Sequence, residues 1–365
     1  MSKVFFLPAG KMDGKDSGIS ELVKSVFDPR ILKPSDITAV KIHPGEEGNT
    51  SFVPAEYIDS IVSSMDLVRD SVFLTDTTVL YPGRRMTAPQ YLRLSREHGF
   101  GLPDTPPFLV ADGLHGEDEY ILRTPEDFET GEIHLARLIA NADSMVVVSH
   151  FKGHLLTGFG GALKNLGMGC ASRAGKLYQH SSVKPVIKAE KCTACGVCTS
   201  YCPQEAIEVA EYAAIDKELC TGCGECLGRC PEGAIRVSWN QDMDVFMRRM
   251  VEYAWGAVRV SRPLFYVNFV TSVVPDCDCM HDTEPPFVDD IGILASRDPV
   301  ALDRASLDLV TEAPDGADSP VQAGEGKDKF RAYRRDVKGT LQLSLAEKLA
   351  LGTQKYQLLR VQGRG

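Results

Sequence analysis

The sequence predicts an α/β protein, a largely parallel sheet with helices on both faces, into which a small cysteine-rich α+β module is inserted. Three observations predict it. Short apolar runs alternate with longer stretches of helical periodicity over the first 150 residues. The same alternation resumes after residue 260, and between the two regions eight of the eleven cysteines crowd into 39 residues.

The elements follow in order. Ile37–Ile42, Val72–Leu74, Phe108–Val110 and Met145–Val148 read as strands; Ile19–Phe27, Pro54–Met65, Ala88–His98 and Ile133–Asn141 read as helices. Strands this short and continuously apolar belong to a parallel sheet covered on both faces. Beyond the cysteines, Met243, Phe246, Met247, Met250, Val251, Ala254, Trp255 and Val258 form an apolar stripe at helical spacing, which reads as core. Leu264–Val270 and Ile291–Ala295 are further strands. Asp298-Pro299 then opens a helix to about Val310, with Asp as N-cap and Pro in the first turn.

This divides the chain into a first α/β part (1–185), the cysteine module (186–240), a second α/β part (241–312), and an acidic loop with a basic tail (313–365). The two α/β parts are expected to share one sheet. From Lys327 onward ten Lys and Arg face three Asp and Glu, so the tail is +7 and the remainder −17. A helix near Leu343–Leu349 is expected to pack this tail on the acidic body.

The 365 residues are 43% hydrophobic and 25% charged, with a net charge of −10. That balance argues against a nucleic-acid partner, which needs a basic footprint. No apolar run reaches the roughly 18 residues of a membrane span. Val4–Leu7 is too short and wrongly flanked for a signal peptide, so a cytoplasmic protein is expected.

The cysteines carry the strongest signal. Cys192, Cys195, Cys198 and Cys202-Pro form one C-x2-C-x2-C-x3-C-P run, and Cys220, Cys223, Cys226 and Cys230-Pro form a second. This is the spacing of bacterial two-cluster ferredoxins, in which the fourth Cys of each run ligates the other cluster. One 4Fe-4S cluster is therefore expected on Cys192, Cys195, Cys198 and Cys230, and another on Cys220, Cys223, Cys226 and Cys202. Two zinc sites are the alternative for C-x2-C pairs. Four Cys per run, Pro after the last, and the duplicated Ala206-Ile207 and Ala234-Ile235 count against it.

In an open parallel sheet, ligands bind beyond the carboxyl ends of the strands. The predicted strands end in His43-Pro-Gly-Glu46-Glu47, Thr75-Asp76-Thr77-Thr78, Asp112-Gly-Leu-His115 and Ser149-His150-Phe-Lys152-Gly-His154, so four of the eight histidines are expected near one crevice. A glycine-rich segment follows, and Gly158, Gly160, Gly161, Lys164, Asn165 and Lys176 are candidate cofactor-binding residues for a bare anion or a flavin phosphate. Packing turns are the alternative for these glycines. Neither the dinucleotide fingerprint nor the phosphate loop fits: Leu163 and Cys170 occupy required glycine positions, so ATP and NAD are not supported.

Three cysteines lie outside the module. Cys170, Cys277 and Cys279, with one of His154, His180 or His281, are candidates for a third metal or cluster at the sheet edge, with Lys152, Lys164 and Lys176 offsetting thiolate charge or holding an anionic substrate. Separate, space-filling thiols are the alternative.

His150-Phe-Lys-Gly-His154, Gly160-Gly161-Ala-Leu-Lys-Asn-Leu-Gly-Met-Gly-Cys170-Ala-Ser-Arg, the paired cysteine runs, Cys277-Asp-Cys279 and Asp290-Ile-Gly-Ile-Leu-Ala-Ser-Arg-Asp298-Pro-Val-Ala-Leu-Asp303 occur in that order. Over nearly its whole length the chain resembles the DUF362 iron–sulfur centre proteins with an inserted two-cluster ferredoxin. The resemblance implies iron–sulfur binding in an anaerobic redox setting, without naming a reaction. The expected function is low-potential electron transfer through two 4Fe-4S clusters, to or from a small molecule or cofactor in the α/β domain or a redox partner protein. The rival is a non-catalytic carrier whose α/β domain only docks other oxidoreductases.

Overall fold

The computed structural model describes residues 1–12, 18–103, 105–180, 184–237, 242–280 and 284–361. Eight strands form the main sheet: β1 (Ser2–Pro8), β2 (Thr38–Lys41), β3 (Val72–Asp76), β4 (Phe108–Val110), β5 (Ser144–His150), β6 (Pro263–Val270), β7 (Gly292–Ser296) and β8 (Tyr356–Arg360). Their order is β8-β1-β7-β6-β5-β2-β3-β4, and only β7 runs against the others. The predicted α/β class, a largely parallel sheet between helices, holds. Strands from both sides of the cysteine module share this sheet, since β6 pairs parallel with β5 in register Tyr266↔Val147.

Both faces are buried, and the strand sequences say why. β5 is buried at every position, with Met145 and Val147 facing one core and Val146 and Val148 the other. The first core is covered by the helices Ala162–Gly167, Met243–Ser261 and Pro299–Glu312; the second by Ile19–Val26, Ala55–Ser64 and Ala88–Glu97. The stripe on Met243–Ser261 is core: Phe246, Met247, Met250 and Val251 are fully buried. Each such side chain stabilises the fold by about 1.5–3 kcal/mol. Asp242 starts this helix by accepting from the amides of Asp244 and Val245 at 2.8 and 3.3 Å. Asp298 starts the helix Pro299–Glu312 in the same way, accepting from Val300 and Ala301, both at 2.9 Å.

Two local readings change. Ile133–Asn141 is not one helix: Glu132–Ala136 is a strand paired antiparallel with Glu119–Arg123, and only Arg137–Asn141 is helical. The inward Ile133 and Leu135 alternate with Glu132 and His134, which is a strand period. Val4–Leu7 lies in β1, which pairs with β8 from the far end of the chain in register Ser2↔Tyr356. The basic tail is folded onto the body, with Leu343 and Ala346 of the helix Leu341–Lys348 in the core.

Candidate active-site cavity and cysteine module

Within the module the two runs fold alike. Gly196 (φ 74°) and Gly224 (φ 78°) take the left-handed conformation that starts the short helices Val197–Ser200 and Glu225–Arg229, each carrying the third Cys of its run. Cys192, Cys195, Cys198 and Cys230 line one cavity; Cys202, Cys220, Cys223 and Cys226 line another. The fourth Cys of each run thus lies with the first three of the other. Backbone amides point at the sulfurs: Ala206 donates to Cys202 at 3.3 Å, Ala213 to Cys192 at 3.3 Å and Ala234 to Cys230 at 3.2 Å. The duplicated Ala-Ile pairs have a physical role here, Ala offering its amide to sulfur while Ile207 and Ile235 enter the module core. Burial, with Cys223 and Cys220 beside it, pushes the Cys226 thiol up to about 12.

A second site lies at the carboxyl ends of β2, β3, β5 and β6. Here a cavity of about 190 Å³ is lined by Lys41, Arg85, Lys152, Lys164 and Lys176, by His43, His150, His154 and His180, and by Cys277 and Cys279, while Asp76 is its only lining carboxylate among the described residues. Val79, Leu80, Met168 and Phe246 supply apolar wall.

Buried ion pairs frame this cavity. Asp76, at the end of β3, lies 2.7 Å from Lys41 Nζ and 3.1 Å from Arg85, and takes a short hydrogen bond from Tyr91. Burial alone would raise its carboxyl, but Lys41 and Arg85 outweigh burial and hold it well below the usual range. Asp278 lies behind the opposite wall, 2.9 Å from His150 Nδ1 and 2.7 Å from Lys152 Nζ, and it accepts from Ser51 at 2.8 Å. It too is held low against burial, by His150 and Lys152. Around the cavity, burial pushes His154 down strongly and His180 to about 3, so both imidazoles are neutral at pH 7. Burial also lowers Lys176 to about 8.

Of the two thiols, Cys277 is the lower member. It accepts from Cys279, and the ammonium groups of Lys164, 3.6 Å from its sulfur, and Lys152 outweigh its burial.

The candidate binding residues divide. Gly160, Gly161, Lys164, Asn165 and Lys176 line the cavity, whereas Gly158 (φ 74°) packs against Gly339. Asn165 accepts from Lys41 at 2.7 Å and donates to Val148 O and Ser149 Oγ. Asp303, from the helix Pro299–Glu312, accepts from the amides of Ala162 and Leu163 at 2.8 and 2.9 Å and so fixes the segment that carries Lys164.

The three extra cysteines also divide. Cys277 and Cys279 line the cavity, but Cys170 does not: it is fully buried in the hydrophobic core, its thiol directed at Asn165 O, and burial raises it to about 11. Among the described residues no three His, Cys, Asp or Glu side chains converge closely enough to share one metal ion. His154 and His180 line the cavity, and His281 lies outside the described residues. Of the four strand-end histidines, His43, His150 and His154 reach the cavity and His115 does not. The strand-end reading left out Lys41, Tyr81 and Arg85; a lysine ending an otherwise apolar strand, fully buried at Lys41, was the available signal for the first.

One helix, Arg173–His180, separates cavity from module. Lys176 and His180 face the cavity. On its other side Leu177 packs in the module core with Cys198, Cys226 and Leu227, and the Arg173 stem lies against Gly224. Leu80 belongs to both, lining the cavity and packing in the same module core.

No curated protein matches the chain. Two solved structures with low likeness are the lactate racemase apoprotein from Thermoanaerobacterium thermosaccharolyticum (16% identity, TM-score 0.37, covering 74% of this chain and 51% of that one) and a Thermotoga maritima protein (11%, TM-score 0.34, covering 91% and 57%). This chain thus spans only about half the length of each. The model of the family described as a domain of unknown function, DUF362, matches residues 38–308, well over half of the sequence, and the chain belongs to that family.

Proposed function

We propose that the chain is a redox protein that carries electrons between two 4Fe-4S clusters in the module and a molecule bound in the strand-end cavity. Bound clusters of this type supply one-electron transfer at low potential. Cys192, Cys195, Cys198 and Cys230 would hold one, and Cys220, Cys223, Cys226 and Cys202 the other.

The residues fit such groups. Amides aimed at sulfur favour thiolates, and crowded thiols such as Cys226 resist ionisation until a positive metal core offsets them. A cubane takes each sulfur on a different iron, so its ligands surround a volume. In a zinc site they converge about 2.3 Å from one ion. Four cysteines around each cavity, the fourth supplied by the other run, suit the volume of a cubane.

One observation carries the link to the cavity: Leu80 lines it and also packs with Cys198 and Cys226. A carrier whose α/β domain were only a scaffold would need no charged cavity beside the module. The test is a trifluoromethyl label placed on Cys277, the lower of the two thiols, with bromotrifluoroacetone in anaerobic holoprotein, the cluster thiols being protected by iron. Reduction with dithionite should broaden the fluorine resonance through the nearby paramagnetic clusters, and reoxidation should restore it. A fluorine resonance indifferent to cluster reduction would overturn the reading.

A further inference from the structure

Three of the five cations lining the cavity have carboxylate partners: Lys41 and Arg85 share Asp76, and Lys152 pairs with Asp278. Lys164 and Lys176 have no carboxylate at ion-pair distance among the described residues. Lys176 is 7% exposed and donates to Thr77 Oγ1 and Ala171 O, which leaves one of its three ammonium donors free. Among the described residues Lys164 makes a single polar contact, to Cys277 Sγ at 3.6 Å. A methyl group at Gly160 would come within 2.9 Å of Lys164 Cδ, so this glycine keeps room for the lysine stem. Burying Lys176 without a carboxylate is costly, the half-buried Lys164 has only the Cys277 sulfur beside it among the described residues, and an anion entering between the two lysines offsets that cost.

We propose that the cavity binds a small organic anion, its carboxylate or phosphate held by Lys164 and Lys176 and its carbon frame resting on Leu80, Met168 and Phe246. That this molecule exchanges electrons with the module rests on the function proposed above. The binding itself does not, and its test needs no electron transfer.

Cys277 lines the same cavity and serves as the reporter. Anaerobic holoprotein is treated with iodoacetate or iodoacetamide, and carboxymethylation or carbamidomethylation of Cys277 is followed by peptide mass spectrometry. Both reagents form the same C–S bond, expel iodide and need the same thiolate. Their rate ratio therefore reads the cavity's preference for an anion and not the state of the thiol. The iodoacetate-to-iodoacetamide ratio at Cys277 should be at least about tenfold higher in the native protein than in the urea-unfolded chain. Lys164→Gln and Lys176→Gln should each lower it several-fold.

Succinate and inorganic phosphate are added separately as protectants. Protection by succinate supports a carboxylate ligand, and protection by phosphate alone supports a phosphate. A native ratio equal to the unfolded one, or a Cys277 resistant to both reagents, overturns the proposal. Failure of the fluorine-label test with a raised labelling ratio would leave anion binding standing and remove only the electron transfer.

Discussion

The module and the cavity lie on opposite sides of the helix Arg173–His180 and manage charge in opposite ways. On the module side, eight thiols crowd two cavities, and burial resists the ionisation of Cys198, Cys223 and Cys226. Among the described residues the fully buried Arg173 lies beside them, with its Nε and Nη1 lacking hydrogen-bond partners. On the cavity side, cations outnumber the single lining carboxylate by five to one. On the proposed reading, a positive metal core completes the first arrangement and an anion the second. The contrast teaches that the two sites call for partners of opposite charge.

The largest effect should come from breaking the module side. Cys230→Ser, although in the second run, should remove the cluster nucleated by the first run. Iron in anaerobically reconstituted protein should fall from about eight to about four per chain. Electron paramagnetic resonance of the reduced variant should lose the spin coupling between clusters. Retention of all the iron would break the crossed assignment.

Next is the cavity's own buried carboxylate. Asp76→Ala leaves Lys41 and Arg85 with only Glu46, 3.9 Å from Arg85, as counter-charge, which should cost about 3–5 kcal/mol in urea unfolding. Because the folded Asp76 titrates below its unfolded value, its contribution is present above the unfolded carboxylate range and is lost only as pH falls towards its depressed folded value. The wild type should therefore lose stability more steeply than the variant below about pH 4.

Arg173 tests whether the two sides share electrostatics. Its charge favours the more negative, reduced module, so Arg173→Met should lower one cluster potential by about 60 mV, a tenfold change in a one-electron equilibrium. Arg173→Lys should restore much of that shift, which a purely packing role would not predict. An unmoved midpoint in a potentiometric titration counts against coupling.

Lys176 gives a smaller, pH-dependent effect. Burial brings it from 10.5 to about 8, so above that pH it is neutral in the folded protein and still charged in the unfolded chain. Between about 8 and 10.5 the unfolded state binds more protons, and this group makes stability rise with pH. Anion protection of Cys277 should fall over the same rise, and Lys176→Met should flatten both profiles. The smallest effect is expected at Glu117, whose 3.6 Å pair with Arg229 joins body to module while 34% exposed. Glu117→Gln should change stability by less than about 1 kcal/mol, because Leu80 and Leu177 dock the module.

The module was legible because each run places its four cysteines within eleven residues and repeats the pattern. The cavity was legible where a strand end carried polar residues, as at Asp76, His150 and Lys152, and where the glycine-rich segment and the C-x-C pair brought in Lys164, Asn165, Lys176, Cys277 and Cys279. Arg84 and Arg85 show the limit. They are neighbours in a Gly-Arg-Arg turn, yet Arg84 is partly exposed and pairs with Glu97, while Arg85 is buried on Asp76. Local sequence does not distinguish them, since the difference is made by β3 closing beneath one and not the other. β1 and β8 were missed for a related reason: their pairing joins residues more than 350 apart, and neither run is periodic enough alone.

Iron, labile sulfide and zinc in anaerobically purified protein test the central claim most directly. The account predicts about eight irons and eight sulfides per chain, with zinc absent. Stoichiometric zinc without sulfide, or iron for a single cluster only, would contradict it.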